Sequence, residues 1–119
     1  MQNDERDLQG RTKRFALGVI RTFATIPKTT EAQVLGKQLL RSATSVGANY
    51  REAYHARSKA EFIAKCGDLL RELEKSAYWL ELLLEGGIVS PEKLAALRHE
   101  CDELLAIFVT IIKRSKNIS

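Results

Sequence analysis

A chain of 119 residues with 45% hydrophobic side chains suits one domain with a real core, burying about 65% of its unfolded surface by size scaling. Two prolines, seven glycines and an abundance of Leu, Ala, Glu, Lys and Arg point to an all-α chain, and the net charge of +4 permits an anionic partner without demanding one. The longest uncharged apolar run, Leu104 to Ile112, falls well short of the about 20 residues of a spanning helix, which argues against a membrane protein.

Met1 to Arg6 are polar and charged, with nothing to bury, and read as a loose tail. From about residue 7 to 25 the positions Leu8, Phe15, Ala16, Val19, Ile20 and Phe23 recur at helical spacing, with Leu17 and Ile26 off the stripe. Arg11, Lys13, Arg14 and Arg21 make the other side basic, either a solvated face or part of an anion-binding surface. Pro27 cannot donate to a helical ladder and ends this first helix.

Thr30-Glu31-Ala32-Gln33 has capping-box spacing and opens a second helix, predicted over 30–56. Its apolar stripe is Leu35, Leu39, Val46, Tyr50 and Ala53, with Ser42 at the margin. A quarter turn away runs a second row of Arg41, Ser45, Asn49 and Glu52, joined by Gln38 and Ala48, with fewer charges than a solvated face usually carries. Arg41 and Glu52 lie about 16 Å apart along a helix and cannot pair with each other, so each needs a partner elsewhere unless the row is an exposed flank. Gly36 and Gly47 are tolerated in the helix and offer close approach to another one.

Ser58-Lys59-Ala60-Glu61 repeats the capping box and opens a third helix over 58–85, a short turn after the second and hence antiparallel to it. Phe62, Cys66, Leu69, Leu73, Ala77, Leu80 and Leu84 form its stripe, with Glu72, Ser76 and Trp79 on the flank, which makes Glu72 the expected partner of Arg41. Gly86-Gly87 stops it, and Ser90-Pro91 starts a fourth helix over 91–116. That helix carries Leu94, Leu97, Cys101, Leu104, Leu105, Phe108, Ile111 and Ile112 on one side, but LLAIFVTII is apolar almost all round. Trp79, Ile107 and Val109 are therefore candidates for a subunit interface, with scattered surface hydrophobes as the plainer alternative. The predicted whole is one domain, an antiparallel up-and-down four-helix bundle.

No Gly-rich phosphate loop and no GxSxG occurs, and His55 and His99 are the only imidazoles. His99 and Cys101 point in different directions on a helix and cannot readily share a metal, and the Glu-x-x-His pattern is missing from the inward faces. No catalytic, cofactor-binding or metal-ligating residue is assigned, and an enzyme is not expected. Two cysteines without CxxC spacing and no recognisable signal peptide favour the reducing cytoplasm. The basic clusters give nucleic-acid candidates Arg11, Lys13, Arg14, Arg21, Arg51, Arg57, Lys59, Lys113 and Arg114. Without a recognition-helix turn, RNP aromatic motif or zinc finger, contacts would be to phosphates and steeply salt dependent.

The stretches RSATSVGANYREAYHARSKAEFIAK and LLRELEKSAYWLELLLE resemble the four-helix-bundle family of 23S rRNA intervening-sequence proteins. The resemblance runs from Phe15 to Lys116 and is most specific at Arg41, Ser42, Ser45, Asn49, Glu52 and Ala53, then Ser58, Glu61-Phe62, Glu72 and Tyr78-Trp79-Leu80. The family in turn resembles the accessory variability determinant of diversity-generating retroelements. The resemblance implies a cyclic homopentamer, with RNA or DNA and a reverse transcriptase or other protein as partners. Lys75 and Gly47-Ala48 depart from the family pattern, and Lys75 stands where a second acid beside Glu72 is common.

Three classes of function follow. The first is a non-enzymatic nucleic-acid-binding accessory protein, and the second is a protein-interaction scaffold whose charge serves solubility. The third, an enzyme using Glu52, Glu72 and His55, requires those groups to converge on one pocket.

Overall fold

The structure, a computed structural model, describes residues 7–117; the predicted tail at Met1 to Arg6 lies outside them. Four helices are present among the described residues, α1 (Leu8–Phe23), α2 (Thr30–Tyr54), α3 (Lys59–Glu85) and α4 (Pro91–Asn117). Side-chain pairs fix their directions. Thr12 lies against Gly47 while Phe23 lies against Gly36, so α1 runs antiparallel to α2. Ser42 meets Ser76 and Glu52 meets Lys65, so α2 opposes α3. Arg11 meets Glu100 while Gly18 faces Leu97, so α4 opposes α1. The result is an up-and-down arrangement within 50 × 28 × 20 Å, in which α2 and α3 form the broadest contact and α1 and α4 the narrowest.

Local chemistry sets the boundaries. Asp7 caps α1 by accepting from Gly10 N–H at 3.2 Å, and the helix stops at Phe23, two residues before the predicted end. Ile26, off the predicted stripe, is buried because the chain folds it back towards Gly36, whereas Ile20, predicted inside, is 45% exposed. The cap of α2 is Thr29, not Thr30, and Gln33 reaches Pro27 O at 2.9 Å rather than the cap. Ser58 caps α3 as predicted through Glu61 N–H, but Glu61 turns to the N–H of Arg57, one residue beyond the box. After α3, Ile88 N–H donates to Leu83 O and Gly87 N–H to Leu84 O, with Gly87 at φ +69°. That is a Schellman ending, and its left-handed residue is the reason for glycine there.

The core runs the length of the bundle through Phe15, Val19, Leu39, Val46, Leu69, Leu73, Leu80, Leu94, Leu104 and Phe108. Two buried hydroxyls, Ser42 and Ser76, bond each other at 2.8 Å across the α2–α3 contact. At 16 residues α1 is the shortest helix, about 24 Å long against about 40 Å for α3 and α4, so it covers only part of the face between α2 and α4. No helix among the described residues is long and apolar enough to cross a membrane.

Candidate functional site

Arg11 is the first correction. Predicted on a basic surface, it is buried between α1 and α4, where Nε donates to Glu100 Oε2 at 2.8 Å and Nη2 donates to Glu100 Oε1 and Glu103 Oε1, both at 2.7 Å. The Glu100 carboxylate raises the guanidinium pKa above its ordinary value, burial opposes that, and Glu103 adds to it. In return Arg11, with the nearby His99, holds the Glu103 carboxyl below its usual range. Two carboxylates already balance its charge, which weakens any draw on a phosphate. Arg14 is exposed and lies 3.4 Å from Asp7, while Lys13 and Arg21 face solvent.

The polar row of α2 is the second correction. Arg41 is exposed and enters no ion pair among the described residues, and Glu72 lies 3.6 Å from Lys75 instead. The axial register explains this: Ser42 sits level with Ser76, so neighbouring Arg41 lies more than one turn along from Glu72, about 7.5 Å away on the helix axis. Ser45 donates to Arg41 O at 2.9 Å, Asn49 is half-buried, and Glu52 holds Lys65 at 2.6 Å. Glu52, Glu72 and His55 therefore do not converge. Neither the α1–α4 groove, about 550 Å³, nor the α3–α4 groove, about 190 Å³, is lined by any of them.

The remaining candidate cations come together through topology. The end of α2, the start of α3 and the end of α4 share one end of the bundle, which collects Arg51, Arg57, Lys59, Lys113, Arg114 and Lys116, all exposed. The carboxylates at that end are engaged: Asp7 caps α1, Glu52 holds Lys65 and Glu61 accepts from the Arg57 N–H. None of the six cations is ion-paired among the described residues. The opposite end has the reverse balance, Arg21, Lys28 and Lys93 against Glu31, Glu81, Glu85 and Glu92. Proximity of the basic segments was not visible along the chain, where nearly sixty residues separate Arg57 from Lys113.

The apolar run of α4 is less bare than its sequence implies. Leu104 and Phe108 enter the core, Leu105, Ile107, Ile111 and Ile112 pack against it, and Val109 remains 39% exposed. Trp79 also packs against the core, beside an exposed Tyr78. Cys66 and Cys101 are buried free thiols whose pKa values burial pushes up to about 11 and about 12. No group of three or more His, Cys, Asp or Glu among the described residues is arranged to hold a metal ion.

The family model of the 23S rRNA-intervening sequence protein matches residues 6–110, most of the chain. This protein belongs to the 23S rRNA-intervening sequence protein family. A crystal structure of a protein of unknown function from the S23 ribosomal protein family of Bacteroides thetaiotaomicron superposes with a TM-score of 0.82. It is 33% identical, and the match covers 88% of this chain and 97% of that one. No curated protein matches the chain. The two superposed chains share a fold, and the family name describes a relation to an rRNA insertion rather than a chemical activity.

Proposed function

We propose that this intervening-sequence family protein is a non-enzymatic, cytoplasmic accessory protein that binds nucleic acid through phosphates at the basic end of its bundle. One observation carries it: six exposed cations converge there while every described carboxylate at that end is occupied by another partner. Such a surface attracts a polyanion without reading bases, and its affinity falls steeply with salt. We further propose a cyclic homo-oligomer, a pentamer by the family resemblance. Val109 and the Tyr78–Trp79 pair supply apolar surface for it, and repetition of one modest patch raises avidity.

The test is binding of the purified protein, its mass measured in the same buffer, to structured RNA, duplex DNA and single strands across a salt series. Submicromolar binding with a slope reporting several phosphates is expected, and neutralising Lys113 and Arg114 to Gln should reduce the slope by about one per lost contact. An intact oligomer that binds none of them refutes the reading in favour of a protein scaffold.

A further inference from the structure

The basic end also carries the most exposed large hydrophobic side chain described, Tyr54, at 62%. Its position follows from the helix period. Gly47 of α2 faces Thr12 of α1, and Tyr54, seven residues on, continues that side of α2. On α4, Glu100 and Glu103 face Arg11, and Ile107, Ile111 and Arg114 continue that side. Helix α1 begins only at Leu8, so Tyr54 and Arg114 lie along the α1-facing sides of α2 and α4 beyond its first turn.

The Tyr54 ring is exposed but braced. His55 packs perpendicular to it, with centroids 5.2 Å apart and planes at 89°, and Tyr50 lies 6.3 Å away one turn earlier. Tyr50 is itself set edge-on to Phe108 at 5.6 Å, and Phe108 is fully buried. The aromatic series thus roots in the core and ends in solvent, with Arg51 on the same turn of α2, Arg57 in the connection that follows and Lys59 at the start of α3. An aromatic face held in place among cations loses little freedom when a planar partner settles on it.

We infer that Tyr54 is a stacking platform for an unpaired base, so that the basic end binds single-stranded nucleic acid, with phosphates on the flanking cations and a base on the tyrosine. This rests on the phosphate-binding reading above and adds the class of strand it takes. Stacking is tolerant of base identity because every base has a π face, so no sequence preference follows from it.

The experiment compares a fluorescein-labelled oligothymidine with an abasic strand of the same length and phosphate number, by anisotropy at fixed salt, for wild type, Tyr54→Ala and Tyr54→Phe. Wild type should bind the base-bearing strand at least about fivefold more tightly than the abasic one. Tyr54→Ala should bring the two affinities together without changing abasic binding or its salt slope, and Tyr54→Phe should keep the preference. Equal binding of both strands by wild type, or a preference unchanged in Tyr54→Ala, overturns the stacking inference and leaves phosphate binding standing. Failure to bind either strand at low salt overturns the stacking inference, and if duplex DNA and structured RNA also fail to bind, the phosphate-binding reading falls with it. Unchanged circular dichroism and thermal midpoint in Tyr54→Ala separate a lost contact from a lost fold.

Discussion

Replacing Arg11 by Ala separates what the sequence and the structure each say of that residue. In the structure it removes three charge-assisted hydrogen bonds, each 2.7–2.8 Å long, and the packed stem of a side chain that is only 6% exposed. Breaking a fully buried ion pair costs about 3–5 kcal/mol because the partner is stranded. Here Glu100 and Glu103 keep 27% and 46% of their side-chain surface in water and rehydrate when the cation leaves. A loss of about 2 kcal/mol is therefore expected, and it includes a few tenths for the like charges left three apart on α4. For a chain of this size that corresponds to a melting point roughly 8 °C lower. Urea unfolding at pH 7, followed by circular dichroism at two protein concentrations, separates the fold from subunit dissociation. Adding Glu100→Gln should recover part of the loss, and Arg11→Ala should leave phosphate-dependent binding and its salt slope unchanged. A cost under about 0.5 kcal/mol would show an ordinary solvated pair, and a reduced slope would show that Arg11 does meet phosphates.

Ser42→Ala strands the Ser76 hydroxyl and should cost about 1–2 kcal/mol, whereas the Ser42→Ala, Ser76→Ala double variant should lie closer to wild type; additive losses in urea unfolding would contradict this. An alanine at Gly36 would place its Cβ 2.8 Å from the Phe23 ring and against Ile26, but at Gly47 it would meet Thr12 at an ordinary 3.6 Å. Gly36→Ala should therefore lower the melting point and Gly47→Ala raise stability by about 0.5–1 kcal/mol, and the opposite order would refute the assigned α1–α2 approach. Because Arg11 depresses the Glu103 carboxyl, Glu103 contributes stability that is present above its unfolded value of 4.5 and is lost as pH falls through the lower folded value. Glu103→Gln should flatten the acid limb of a stability–pH profile. Both thiols are buried, with pKa values of about 11 and about 12, so Ellman's reagent at pH 8 should label neither until the chain is unfolded.

The helices were legible because their signals are local. Pro27, Ser58, Gly86-Gly87 and Ser90-Pro91 each act within one turn, and the apolar period of α4 matches its buried residues, whereas in α3 the flank residue Ser76 and the off-stripe Leu83 are buried and Phe62, Ala77 and Leu84 only half-buried. Cap details slipped by one residue where adjacent hydroxyls or N–H groups compete, as Thr29 does with Thr30 and Arg57 with Ser58. Near the end of α1 the helical period does not predict burial, because Ile26 lies past the helix, where that period no longer governs which way a side chain points.

The candidate site was legible only in fragments. The helical period places Arg41 and Glu72 on flanks of the right helices, but whether they meet depends on how far α2 slides along α3, and the Ser42–Ser76 contact sets them more than a turn apart. Composition counts Arg11 as one more cation, yet its carboxylates come from α4, about ninety residues later. The sequence by itself determined four helices, their amphipathic faces and the excess of basic side chains, because propensity, capping and periodicity act over a few residues. Only the tertiary structure decided which cations are neutralised and which remain available, because that depends on antiparallel packing and axial register. These bring the ends of α2 and α4 to one end of the bundle and bury Arg11 against α4.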